Sequence, residues 1–361
     1  MSWIENYIHL MPKVELHVQL EGAVRAATLL MIAEQNEIAE GLKHFDTWVD
    51  LLQNPQPDRI DELVRMINSW LHHAEDLTRS VYDVGVVLAK QNVRYAEISV
   101  NPALYPEIEL TPDEFLEALN DGRERARRAW GVEMAWILTI PRDEPRRADE
   151  VARWAASVTG RKGGIVGICL SGREDAQPAG QFERAFKMAE KKSVPTVVRA
   201  GHDFGLEGVI EALDTFNPRR LVDAWGIVES GEVLQRLVDH QVSVMINIAR
   251  AQAHGWVQNV AEYPLRRLYD EEVTAVIGAD MPTLYQTSLN DEYLAAVEKC
   301  QLSVEELEDV ALNAVRASFL PEDQKAALLA DFQQEYERIR TRDEDDAGEA
   351  AAAAEEQDTP Q

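Results

Sequence analysis

The chain of 361 residues carries 64 acidic against 36 basic residues, a formal net charge of -28, at 45% hydrophobic composition. A surface that acidic repels phosphate backbones and anionic lipid, which argues against nucleic acid and membrane partners. Two cysteines, Cys169 and Cys300, give no disulfide framework, and no cationic start leads into an apolar core, so a cytoplasmic protein is expected.

The predicted elements run as follows. Trp3, Ile4, Tyr7 and Ile8 have helical spacing and are expected to lie under the bottom of the fold. From Pro12 to Gly22, Val14, Leu16, Val18 and Leu20 alternate with Lys13, Glu15, His17, Gln19 and Glu21. That period of two is a strand ended by a turn at Gly22, and a polar face of this kind suits a cavity wall. Residues 23–89 read as helices, interrupted at Asn54-Pro55-Gln56-Pro57. Seven further strands are expected at 94–100, 134–140, 164–171, 196–201, 221–226, 243–249 and 274–280, with helical stretches between them. Eight strand–helix alternations specify a (β/α)8 TIM barrel with a helical insertion after the first strand. An open doubly wound sheet would need a Gly-rich phosphate loop after the first strand, and there is none. Two helices follow, the second opened by a Ser303/Glu306 capping box, and Pro321 precedes a last one. The domain division is 1–340 for the barrel and 341–361 for a disordered acidic, Ala-rich tail with too little apolar surface to fold.

The stretch Pro-Lys-Val-Glu-Leu-His-Val-Gln-Leu-Glu-Gly at 12–22 resembles the first strand of the adenosine deaminase family of metal-dependent amidohydrolases. Val93-Arg94-Tyr95-Ala96-Glu97-Ile98, Gly167-Ile168-Cys169-Leu170-Ser171-Gly172, Pro264-Leu265-Arg266-Arg267-Leu268, Asn290-Asp291-Glu292-Tyr293 and Asn313-Ala314-Val315-Arg316-Ala317-Ser318-Phe319 extend the resemblance over roughly residues 5 to 335. The resemblance implies a zinc site made by His-x-His on the first strand, a His ending the fifth and an Asp ending the eighth. Here those positions are His17, Gln19, Arg199 and Asp280. It further places His202 where the family has the Glu that protonates the purine, and Trp225 where it has a catalytic His. Met281 replaces a second Asp, and Cys169 replaces a purine-contacting Asp, while Gly172 is kept. Glu21 resembles the family residue that meets the substrate sugar or the pocket entrance.

This pattern is a degraded zinc site. Arginine has no lone pair to offer a cation, and a Gln carbonyl binds weakly. Only His17 and Asp280 remain as ordinary metal ligands, should a metal bind. Arg199, inside an apolar strand, needs a carboxylate partner. It is expected to replace the metal's charge by pairing with Asp280 and bonding Gln19, with Glu97 also pointing into the lumen. Catalytic candidates are His202 and Asp280, and substrate-binding candidates are Glu21, Gly172 and Trp225. The plain alternatives stay open: His17 as a hydrogen-bonded lumen residue, His202 as a loop histidine beside Asp203, Glu21 as a helix cap, Trp225 as filler. Cys169 has no nearby His in sequence, and no Gly-x-Ser-x-Gly elbow exists.

Three functions follow from the resemblance. The first is a pseudoenzyme that has lost zinc-dependent purine deamination and binds a purine-like small molecule or a protein. The second is an active adenosine- or adenine-type deaminase with an atypical metal site. The third is a metal-free enzyme of altered chemistry in the same pocket. The first expects no cofactor; zinc or another divalent cation accompanies the second. A homo-oligomer or protein partner stays open.

Overall fold

A computed structural model describes residues 2–224, 226–257 and 263–357, with side chains to 341. Eight strands form one sheet in sequence order. They are β1 Lys13–Gln19, β2 Val93–Val100, β3 Glu133–Pro141, β4 Ile165–Ser171, β5 Thr196–Arg199, β6 Arg220–Val222, β7 Ser243–Ile246 and β8 Ala275–Ile277. Each neighbouring pair from β1–β2 to β7–β8 is parallel. The ring closes where the Gln19 amide donates to the Asp280 carbonyl at 2.8 Å and the Ala279 amide to Glu15 Oε2 at 3.0 Å. This is the expected TIM barrel.

All seven β1 residues are buried, because both faces are covered. Val14, Leu16 and Val18 join the apolar core. Glu15, His17 and Gln19 occupy the other face and fill the lumen. The strand ends earlier than its alternation suggests: Leu20–Ala23 is one helical turn rather than strand. Gly22 sits in that turn because a Cβ there would lie 2.5 Å from the Met281 side chain. The helical insertion follows as Ala26–Gln35, Ile38–Gly41, Phe45–Gln53 and Ile60–Asn68, before the long helix Ala74–Lys90 leads into β2.

Local signals fix the outer helices. Pro112–Trp130 starts on a Thr111/Glu114 capping box and stops at Gly131 in the left-handed conformation. Val304–Ala317 starts on the Ser303/Glu306 box. The last helix runs Glu322–Gln357, so the backbone stays helical past Thr341, where composition alone set a boundary. The Ala and Glu content of that segment favours helix without any core to pack on. Among the described residues no helix is long and apolar enough to cross a membrane.

Deep in the lumen, the Arg220 guanidinium pairs with Glu97 at 2.8 Å, and both side chains are fully buried. Arg220 also donates to the carbonyls of Leu16 and Ala317, each at 2.9 Å. Glu97 therefore points inward as expected, and its partner there is Arg220.

Candidate functional site

Four charged side chains meet at the C-terminal mouth of the barrel. Arg199 ends β5, Asp223 follows β6, Arg250 follows β7 in the short helix Ile248–Ala253, and Asp280 follows β8. Arg199 Nη2 lies 2.9 Å from Asp280 Oδ1, and Arg199 Nε 3.3 Å from Asp223 Oδ2. Arg250 makes the matching pair of contacts, 2.7 Å to Asp280 Oδ2 and 3.2 Å to Asp223 Oδ2. Two guanidinium groups and two carboxylates thus alternate around a closed ring of balanced formal charge. Both aspartates have positive φ, +58° at Asp223 and +56° at Asp280. Asp tolerates this conformation better than most residues do, and it belongs to the backbone that presents both carboxylates to the ring.

Burial pushes the Asp280 and Asp223 carboxyls up, but Arg199 and Arg250 outweigh it and hold both below the ordinary carboxylate range. Gln19 adds an amide donor to Asp280 Oδ1 at 2.5 Å. His17 Nε2 lies 3.2 Å from Arg199 Nη2 and 3.7 Å from Asp280 Oδ1. Burial lowers its pKa to about 3, so the ring is neutral. A guanidinium only donates, so Nε2 accepts and the proton sits on Nδ1, which faces Ser99 Oγ at 3.5 Å.

The expected Arg199–Asp280 pair is present, but Gln19 bonds Asp280 rather than Arg199; Asp223 and Arg250 are additional. Asp223 closes an apolar strand as Arg199 does, and that shared placement was a usable signal. Arg250 lies beyond its strand in a separate helix, and no sequence spacing marks it.

The donor set at this position does not suit a divalent cation. The lone pair of His17 Nε2 and both oxygens of Asp280 already face guanidinium N–H groups, and two fixed positive charges would repel a third. A second set lies nearby. Glu174, His202 and Asp203 offer ligand atoms within 4.8 Å of one another. Glu174, which the sequence reading missed, follows β4 and accepts from the amides of Gly201, Asp203 and Phe204 at 2.9, 2.8 and 3.3 Å. His202 has Nδ1 3.4 Å from Glu174 Oε2 and Nε2 3.3 Å from Asp203 Oδ2. Its Nδ1 is buried without a hydrogen-bond partner among the described residues. Burial lowers the His202 pKa, with Arg199 acting the same way against three carboxylates. One His and two carboxylates are a donor set that a divalent cation accepts.

Glu21 is buried, accepts from the Asn101 amide at 2.6 Å and the Tyr105 hydroxyl at 3.1 Å, and is held up at about 7 by burial. Gly172 has φ +99° and packs on Arg142, which donates to the Arg199 carbonyl at 3.1 Å. Cys169 is fully buried and its thiol is pushed up to about 12 by burial, which leaves it no nucleophilic thiolate near neutral pH. Trp225 lies outside the described residues.

Comparison with known proteins agrees with this architecture. The family model described as Adenosine deaminase matches residues 12–335. A Streptomyces coelicolor protein named putative adenosine/adenine deaminase is 30% identical over 334 residues, covering 89% of this chain and 95% of the relative. An amidohydrolase from Burkholderia ambifaria, solved with bound zinc, superposes with a TM-score of 0.85 at 21% identity over 95% of both chains. Arabidopsis ADAL, solved with IMP, superposes with a TM-score of 0.82 at 23% identity, over 94% of this chain and 100% of that one. At such identities the two structures speak for the fold.

Proposed function

From the adenosine deaminase family, to which this chain belongs, and from the charge ring at its barrel mouth, we propose a purine-class binding protein without zinc-dependent deamination at the family's metal position. One observation carries this reading: Arg199 Nη2 stands 3.2 Å from His17 Nε2 and 2.9 Å from Asp280 Oδ1, where a cation would need both atoms. Arg199 and Arg250 keep Asp280 and Asp223 ionised, and their hydrogen bonds occupy both Asp280 oxygens. His17 is left as a neutral acceptor of a guanidinium hydrogen bond. No group in the ring is poised to activate water, since neither carboxylate is a base of useful strength. A purine-like ligand is supported by the named relatives and by the nucleotide in the Arabidopsis neighbour.

A second reading, an active adenosine- or adenine-type deaminase, draws on the relatives' names and on the Glu174–His202–Asp203 cluster. Those three side chains would hold a divalent cation, and such an ion supplies a water acidic enough to ionise near neutral pH. Elemental analysis of protein purified without chelator, with a deamination assay on adenosine and adenine with and without added zinc, separates the two. The binding reading expects no turnover and no cation lost on changing Asp280→Asn. Turnover together with one equivalent of metal that disappears in His202→Ala would replace it with the second reading.

A further inference from the structure

The charge ring is buried, with Arg199, Asp223 and Asp280 side chains at 3%, 0% and 0% exposure. Trp256 and Tyr285 lie over the Arg250 guanidinium at 5.5 and 5.3 Å, and His254 stacks on Trp256 at 4.8 Å with 16° between planes. A cavity of about 290 Å³ opens instead to one side, between the loop after β2, the end of β3 and the helix Ala148–Ala156.

Its walls are aromatic. Phe115 sits between Tyr105, at 5.5 Å, and Trp154, at 6.2 Å. Thr139 lines the same cavity at 4% exposure and brings a hydroxyl to its wall. The Trp154 indole nitrogen is buried without a partner among the described residues. A buried polar atom left unpaired costs free energy, so this nitrogen at a cavity wall of mixed polar and apolar character points to something that occupies it. The loop carries Pro102 and Pro106, and Pro112 opens the next helix, each with φ fixed, so this wall is preformed rather than ordered on binding. Tyr105 connects the cavity to the barrel mouth, since its hydroxyl donates to Glu21.

The rim disfavours an anion. Arg147 reaches it, but its guanidinium lies 3.7 Å from Glu144, and Glu150 shares the rim. A phosphate would meet one partly neutralised cation beside a carboxylate, on a chain of net charge -28.

We infer that this off-axis cavity is the ligand site, and that it takes a planar, uncharged heteroaromatic base, stacked on Tyr105, Phe115 and Trp154 with a polar edge toward Thr139. The inference rests on the binding reading above and adds where and what it binds. Aromatic walls select a flat ring by area and by edge-to-face contact. The Thr139 hydroxyl selects a ring with a nitrogen or carbonyl at its edge over a hydrocarbon.

The test titrates the full chain with adenine by calorimetry and tryptophan fluorescence, with AMP and indole as comparators. Adenine is expected to bind, AMP at least tenfold more weakly. Val151→Trp, which fills the cavity, should abolish binding. Thr139→Val, which keeps the shape and removes the hydroxyl, should weaken it about five- to tenfold and leave indole unchanged. Thermal unfolding checks that each variant is folded, and Thr139→Val decides if Val151→Trp is not. Adenine bound equally by both variants but lost in Gln19→Leu would put the ligand on the axis: the location fails while the binding reading stands. AMP bound as well as adenine overturns the ligand class. No binding of any probe overturns the inference, and the absence or presence of turnover then judges the binding reading separately.

Discussion

Arg199 ends the fifth strand, Asp280 lies three residues beyond the eighth, and they meet at 2.9 Å with side chains 3% and 0% exposed. Each also contacts a member of a second pair, Arg199 through Asp223 and Asp280 through Arg250. Removing one member of a buried pair leaves a charge without its partner, and that costs about 3–5 kcal/mol. Arg199→Ala should sit near the lower end, because Asp280 keeps Arg250 and Gln19. Urea unfolding of the variant would read this directly, and a loss under about 1 kcal/mol would mean the ring holds little of the fold together.

The same geometry predicts a gain. His17 and Asp280 are still in place, so Gln19→His with Arg199→His would supply two further nitrogen donors and remove the guanidinium that blocks them. Arg250 contacts Asp280 through Oδ2, which leaves Oδ1 to serve as a ligand. The double variant is expected to hold one equivalent of zinc more than the parent after dialysis against trace zinc, measured by elemental analysis. An unchanged metal content would show that Arg250 alone is enough to exclude the ion.

The barrel was legible because strand and helix periods alternate eight times, and the strands fall within a few residues of their expected ends. The strand ends themselves were less so. β6 stops at Val222, since Asp223 directly after it turns into the left-handed region, and β8 stops at Ile277, three residues before Asp280 does the same. Arg199 announced itself as a charge inside Thr196-Val197-Val198, and so its pairing could be anticipated. Arg250 and Glu174 could not, because each reaches the mouth from a loop or short helix whose direction depends on tertiary packing. The link between Glu97 and Arg220 shows the same limit: alternation says which face a residue takes, not how deep in the lumen its partner lies.

Glu97 and Arg220 give a cleaner test of burial against pairing, since both are fully buried and far from the mouth. Glu97→Gln alone should destabilise by about 3 kcal/mol or more, as it leaves Arg220 charged in a closed lumen. Replacing both, with Glu97→Gln and Arg220→Met, should recover part of that loss. It will not recover all of it, because Arg220 also serves the carbonyls of Leu16 and Ala317. A double-mutant cycle by thermal unfolding measures the coupling.

Gly172→Ala isolates a backbone requirement. Its φ of +99° lies in a region that side chains rarely adopt, with Arg142 against it. A loss of about 1–2 kcal/mol is expected. Gly231→Ala, at a site where a Cβ meets nothing within 4 Å, is the comparison and should be near neutral. Equal effects from both would remove the backbone argument.

Glu21 makes stability depend on pH in a direction opposite to that of the ring aspartates. Burial raises its pKa from 4.5 to about 7, against the lowering influence of the Asn101 amide and the Tyr105 hydroxyl. Between those values the folded chain holds a proton that the unfolded chain has released. Stability therefore falls as pH rises from about 4.5 to 7 and is level above that. Glu15, raised to about 7, and Glu292, raised to about 8, have the same sign, so the parent's slope is a sum over several groups. Glu21→Gln removes one of them while its carbonyl can still accept from the Asn101 amide. Measured against the parent by urea unfolding, the variant should gain relative stability between pH 5 and pH 7.5, by at most about 3 kcal/mol for a shift of this size. If the two curves run parallel, Glu21 is ionised in the folded chain throughout, and its hydrogen bonds to the loop after β2 outweigh its burial.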